Sequence, residues 1–248
     1  MNSQQLIQAY TSVLEGQDVQ LFGHGDRGCV YDGLNGIFLP SVSDGYETAT
    51  HKIMLVGRET KSWNFFKQDQ MPTTIADGVQ RSVIHHQAWL AKELSQSKND
   101  KGNSFSNFMR AFAQRYGTDG LIHSNLYCMA LKAGNPSSSK HFGLIKQLSK
   151  KLLDQQIEIL KPDVIVFANG SASAKYRAEY FPIKGEKSVC FRGRDWSKEQ
   201  NIANKHLWKF YLYDKIPCYR IQHPSARNAG GKDATFAREY LIDNLFQL

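Results

Sequence analysis

The sequence predicts a three-layer α/β/α fold around a central four-stranded parallel sheet. Three observations lead there. Four short apolar runs alternate with stretches of helical periodicity. Two of them, KIMLVG at 52–57 and DVIVFA at 163–168, are rich in apolar residues without alternation, as strands buried on both faces are. At 248 residues, 41% apolar and 22% charged, the chain can bury a full core as a single domain over 1–248.

The elements follow in order. Leu6, Ile7, Tyr10, Val13 and Leu14 have helical spacing and stop at Gly16, which predicts a first helix over 4–15. Residues 21–50 hold six glycines and several aspartates and read as loops with a short strand or two. The run at 52–57 is the first strand, feeding a loop at Gly57. Residues 76–96 and 104–116 read as helices, and 122–131 as a strand with an Asn inside it. A long amphipathic helix covers 141–160 and is ended by Pro162. The strand at 163–168 runs straight into Asn169-Gly170-Ser171. Residues 181–216 are aromatic and basic, suggesting a hairpin plus a short helix. The last strand, CYRIQ at 218–222, leads into His223-Pro224-Ser225, and a final helix covers 234–246.

Lys plus Arg number 31 against 23 Asp plus Glu, a formal charge of +8 that favours a polyanionic partner such as DNA. No apolar run approaches the roughly 20 residues of a membrane span, so no membrane partner is expected. The first residues lack the charged start, apolar block and cleavage site of a signal peptide. The expected location is cytoplasmic, and the expected state is a monomer. Cys29, Cys128, Cys190 and Cys218 form no CxxC pair, so reduced thiols are expected rather than a zinc site. An iron–sulfur cluster drawing on distant thiolates stays open. There is no GxGxxG and no GxxxxGK[ST], which argues against the common dinucleotide and P-loop sites. No metal or organic cofactor is expected.

Ligands of open α/β sheets bind beyond the carboxyl ends of the strands. Four polar groups stand at such ends here: Arg58-Glu59, Asn125, Gly170-Ser171 and His223. In order, GRETKSW at 57–63, Asn125 in HSNLYC, KPDVIVFANGSASA at 161–174 and HPSARN at 223–228 resemble motifs of the uracil-DNA glycosylase superfamily. The resemblance spans about residues 52–238. It implies a glycosylase-like α/β fold and hydrolysis of a base–sugar bond in DNA. It also implies roles. Glu59 matches the water-directing carboxylate, Asn125 the reader of the base edge, and Gly170 and Ser171 a phosphate loop. His223 matches the catalytic His, with Ser225, Arg227 and Asn228 in the loop that contacts DNA and Arg227 at the wedge position.

The chemistry suits these residue types. Breaking an N-glycosidic bond builds positive charge on the sugar and negative charge on the leaving base. A carboxylate, Glu59, can stabilise the cation and orient water, and a donor, His223, can stabilise the anion. Asn125 can offer a base both a donor and an acceptor. Gly170 and Ser171 open a helix expected near Ala172, a place suited to phosphate. Trp63, Phe65 and Phe66 could stack on an extruded base, and Arg192, Arg194 and Lys198 could follow a DNA backbone. Each residue also has a plainer reading. Glu59 fits a loop charge or a partner of Arg58, His223 a turn residue, and Asn125 a buried cap. Ser171 fits a helix N-cap, and the aromatics fit core packing.

The first motif departs from the uracil enzymes. Glu59 stands for Asp, and Thr60 and Lys61 stand for Pro and for the Tyr that packs against C5 of the base. Lys61 cannot form that flat wall, so the pocket is expected to admit a bulky, polar C5 substituent. Glucosylated 5-hydroxymethylcytosine of phage DNA is such a base. The chain is similar to a superfamily member of bacterial phage defence acting on DNA of that kind. The leading expectation is therefore a monofunctional DNA glycosylase that releases a modified pyrimidine and leaves an abasic site. Other readings are uracil excision in base excision repair, a non-catalytic DNA-binding module of the same fold, and an enzyme of free nucleosides or nucleotides. Residues 21–50 fit a lid, a DNA-contact loop or scaffold equally well.

Overall fold

The structure, a computed structural model, describes residues 2–26, 28–61, 63, 65–97, 103–226 and 233–248. Its architecture is α/β, as the alternation of strands and helices predicts. The chain groups into two compact units, each built from three stretches.

The first unit comprises residues 1–42, 59–90 and 124–161. Helix α1 (Asn2–Leu14) packs against α4 (Phe142–Leu160). The apolar positions predicted for α1 are largely the buried ones, with Leu6, Tyr10 and Leu14 inside. The Tyr10 hydroxyl donates to the Pro40 carbonyl at 3.0 Å, so a buried polar group is satisfied. Helix α4 ends as its sequence demands. Lys161 takes a left-handed φ of 46°, and Pro162 cannot continue the helix. Most of α2 (Ile75–Leu94) also belongs here.

Residues 34–42 resolve part of what the sequence left open. Every one of them is buried. Asn35 and Phe38 donate their N–H groups to the carbonyls of Ala130 and Cys128, at 2.8 and 2.7 Å. Gly36 runs so close to backbone that a Cβ would stand 2.5 Å from the Phe22 carbonyl oxygen. This stretch is scaffold of the first unit.

The second unit comprises residues 43–58, 91–123 and 162–248 and carries the sheet. The strands are β1 (Ile53–Gly57), β2 (Leu121–Asn125), β3 (Val164–Phe167), β4 (Cys190–Asp195), β5 (Leu207–Leu212) and β6 (Ile216–Ile221). Their order is β2-β1-β3-β6-β5-β4. The last two residues of β2, Ser124 and Asn125, fall in the first unit. Strands β1 and β3 are parallel, as are β3 and β6. β6, β5 and β4 continue as an antiparallel meander. The four-stranded, all-parallel expectation is thus corrected to a six-stranded mixed sheet. The added strands arise in the aromatic, basic stretch 181–216. β4 and β5 are the antiparallel pair expected there as a hairpin, and the turn from β5 into β6 uses Tyr213 and Asp214 at φ of 53° and 55° rather than glycine.

Among the described residues, α3 (Ser104–Tyr116), α5 (Ala174–Tyr180) and α6 (Ala234–Asn244) also belong to this unit. Asp233 caps α6 by accepting from the N–H groups of Thr235 and Phe236. The strand expected over 122–131 stops at Asn125, and 126–130 continue as a buried irregular run. No helix among the described residues is long and apolar enough to cross a membrane.

Candidate functional site

All four sequence motifs follow strand ends. Glu59 lies two residues beyond β1, Asn125 ends β2, Gly170 lies three beyond β3, and His223 lies two beyond β6. β1, β3 and β6 run parallel, so their carboxyl ends share one edge of the sheet. The motif residues fall in both units and are taken unit by unit.

In the first unit, Glu59 is half-buried and Lys61 is exposed. Between them, Thr60 reaches Asn125, 65 residues away in sequence, and buries it to 7% exposure. The amide orientation follows from its hydrogen bonds. With the oxygen toward Thr60, it accepts from the Thr60 N–H at 3.2 Å and from the Thr60 hydroxyl at 2.6 Å. The amide nitrogen then donates to the Ser124 carbonyl at 3.1 Å. The opposite orientation would pair nitrogen with donors and oxygen with acceptors. An amide oxygen has two lone pairs, and both are used. Asn125 as seated therefore offers a ligand one N–H and no acceptor, which corrects the expectation of a donor and an acceptor together.

The aromatic cluster after the first motif is mostly core. Trp63 is buried, with Phe38, His85 and Trp89 rings at centroid distances of 5.0, 5.1 and 5.6 Å. The His86 ring lies 6.0 Å from it, held where its Nδ1 accepts from the Ser41 N–H at 2.8 Å. Trp63 is packing here rather than a face open to a base. Phe65 is half-buried, and His85 covers one of its faces at 4.0 Å and 6°. Phe66 is buried beneath Arg81.

In the second unit, the third and fourth motifs meet. Gly170 has a φ of 75°, and a Cβ there would lie 3.3 Å from the Cβ of His223. The helix expected near Ala172 starts later. Ser171 opens a 3-10 turn, Ser171–Ser173, and α5 after it has only 7 residues. A helix that short adds little field for phosphate, so Ser171 stands as an exposed loop serine. The His223 Nδ1 accepts from the Ser225 N–H at 3.2 Å and lies 2.8 Å from its hydroxyl. An accepting Nδ1 puts the proton of the neutral ring on Nε2. Arg227 and Asn228 lie outside the described residues.

Two neighbours of this site were not singled out in the sequence. Phe105 of α3 lies 6.1 Å from the His223 ring and 5.2 Å from His123, centroid to centroid. Phe105 and Phe108 look like ordinary core spacing, so no local signal marks the first. His123 is buried, and burial pushes its ring down to about 3, so it is neutral near pH 7. The basic insert is partly neutralised: Arg192 pairs with Asp214 and Arg194 with Glu199, each at 2.7 Å. All four cysteines are free, and no three His, Cys, Asp or Glu side chains converge as metal ligands among the described residues.

No protein-family model matches the chain, and no curated protein matches it.

Proposed function

We propose that the protein is a monofunctional DNA glycosylase on a three-layer, uracil-DNA glycosylase-like α/β/α fold. It hydrolyses the N-glycosidic bond of a modified pyrimidine, such as glucosylated 5-hydroxymethylcytosine, and leaves an abasic site. The observation that carries the reading is the seating of His223. Its Nδ1 accepts from the Ser225 N–H, which places the ring proton on Nε2, and an imidazole N–H of that kind suits the oxygen of a departing base.

Glu59 supplies the carboxylate that stabilises the cationic sugar and directs water to it. Asn125 meets the edge of the extruded base. Lys61, exposed and flexible, leaves space beside C5 where a tyrosine would close it. Gly170, Ser171 and Ser225, with Arg227 and Asn228, contact the DNA backbone.

The test is direct detection of the released base. The protein is incubated with a duplex carrying one glucosylated 5-hydroxymethylcytosine, and the small-molecule fraction is analysed by mass. The expected result is the free modified base and an equal amount of abasic sites. Glu59→Gln and His223→Ala each lower the rate by roughly 10²–10³ while DNA binding persists. No release by the unaltered protein from any modified duplex overturns the reading.

A further inference from the structure

We infer that the turn 203–206, which leads into β5, docks a DNA backbone phosphate beside His223, with Lys205 as its cation. The inference rests on the glycosylase reading of His223 and adds a contact that lies outside all four motifs.

The sheet register puts the turn there. β5 and β6 are antiparallel, with Leu207 opposite Ile221 and Trp208 opposite Arg220. The start of β5 therefore lies beside the end of β6 that leads into His223. Two side chains from that end fasten the turn. Gln222 Nε2 donates to the Lys205 carbonyl at 2.6 Å, and Arg220 Nη1 donates to the same carbonyl at 3.2 Å. Arg220 Nη2 donates to the Asn204 carbonyl at 2.8 Å and to its side-chain oxygen at 2.7 Å. The His206 N–H closes the turn on the Ala203 carbonyl at 2.8 Å. Lys205 is thus tied to the residue immediately before His223, on a turn whose shape is set before a ligand arrives.

The charge of the turn is positive and unspent. Elsewhere in the basic stretch, Arg192 pairs with Asp214 and Arg194 with Glu199. Lys205 is exposed and has no ion-pair partner among the described residues. The N–H groups of Asn204 and Lys205 meet no acceptor among the described residues either. Phosphate oxygens accept from an ammonium and from such turn N–H groups. Behind the turn, the printed bonds of Arg220 go to neutral oxygens, which leave its charge uncancelled. Burial and then the charge of Arg177 push its guanidinium down to about 10, so it stays protonated near pH 7. Two carboxylates act here, Asp195 on Asn204 and Asp233 on His206. Against Lys205, Arg220 and Arg177 they leave a surplus of positive charge. The neighbour decides what fills the place: a strand whose base reaches His223 brings its phosphates to the same edge.

The experiment measures duplex binding by fluorescence anisotropy between about 50 and 200 mM salt, for the unaltered protein, Lys205→Ala, Lys205→Arg and Lys215→Ala. The duplex carries one glucosylated 5-hydroxymethylcytosine on a 2′-fluorinated sugar that resists cleavage. Lys215 is also exposed, but it precedes β6 and so stands at the strand end away from His223, about 20 Å along the strand. Both alanine variants lose one charge, and Lys205→Ala alone loses it at the proposed contact. In Lys205→Ala the slope of log affinity against log salt is expected to become shallower by about 0.9, the value of one phosphate, with affinity lowered alike for every duplex sequence. Lys205→Arg and Lys215→Ala keep the original slope. An unchanged slope in Lys205→Ala overturns the inference. So does an equal change in Lys215→Ala, a Lys205→Arg slope as shallow as that of the alanine variant, or absence of duplex binding by the unaltered protein. Base release from ordinary sugars is read in parallel. Its absence from every duplex, with the slope change intact, overturns the glycosylase reading alone.

Discussion

Gly170 lies so close to His223 that a Cβ at position 170 would stand 3.3 Å from the Cβ of His223. Two motifs far apart in sequence thus share one spot, and the loop after β3 limits where the His223 ring can sit. Gly170→Ala puts a side chain at a φ of 75° and pushes on His223. The expected cost in stability is about 1–2 kcal/mol. Base release is expected to fall further than that loss explains, because the ring moves. Melting curves and initial rates on the same preparation check both.

The proposed room beside C5 of the base is tested at Lys61. Lys61→Tyr restores a flat wall beside C5. It is expected to lower release of glucosylated 5-hydroxymethylcytosine by about 100-fold or more, since misplacement near 1 Å already costs on that scale. Release of an unsubstituted base with the same edge should suffer far less. The ratio of rates on paired duplexes checks it.

His123 predicts acid lability. Its folded pKa is about 3, below the 6.5 of the unprotected ring, with burial as the cause. The unfolded chain therefore binds more protons between those values, and stability falls as pH drops through that window. Above about 6.5 the contribution is fully present. One proton corresponds to a slope of about 1.4 kcal/mol per pH unit. Burial also lowers His85 and His206, which act in the same direction. In urea titrations between pH 7 and pH 4, His123→Leu should flatten the decline by up to one proton's slope.

Two buried arginines should respond in opposite ways to loss of charge. Arg110 donates from Nε to the Glu93 carbonyl at 2.7 Å and from Nη2 to the Glu93 carboxylate at 2.9 Å, with Gln96, Ser97 and Asn107 as further acceptors. Arg110→Met leaves those groups short of a donor and should cost about 3–5 kcal/mol. Arg177 is 3% exposed, and its Nε and Nη1 have no hydrogen-bond partner among the described residues. Its guanidinium sits over Phe210, Phe167 and Trp208 at 5.2–5.8 Å, which offsets only part of the desolvation. Arg177→Met should be neutral or stabilising by up to roughly 2 kcal/mol. Chemical denaturation of the two variants decides it.

The legible parts of this chain are those whose cause is local. β1 and β3 are unbroken apolar runs because both faces are buried, and α1 and α4 show their buried stripes directly. The hairpin expected within 181–216 is present as the antiparallel pair β4 and β5, but its joining to the parallel strands through β6 was hidden by a turn without glycine. Motif positions after strand ends were readable, since each depends on a strand and the few residues after it. What those residues do to one another was not. Thr60 takes up the Asn125 oxygen across 65 residues of sequence. Trp63 is closed in by His85 and Trp89 of a later helix, so its place beside the first motif suggested a stacking face that packing consumes. The 3-10 turn at Ser171 delays a helix that the Gly-Ser pair seemed to open.

The measurement that tests the central claim most directly is an abasic-site assay on three duplexes. One carries glucosylated 5-hydroxymethylcytosine, one uracil, and one no modification, and each is treated with alkali after incubation with the protein. Strand breaks in the glucosylated duplex alone are the predicted result. Breaks in the uracil duplex alone, or in none with DNA binding intact, would contradict the account.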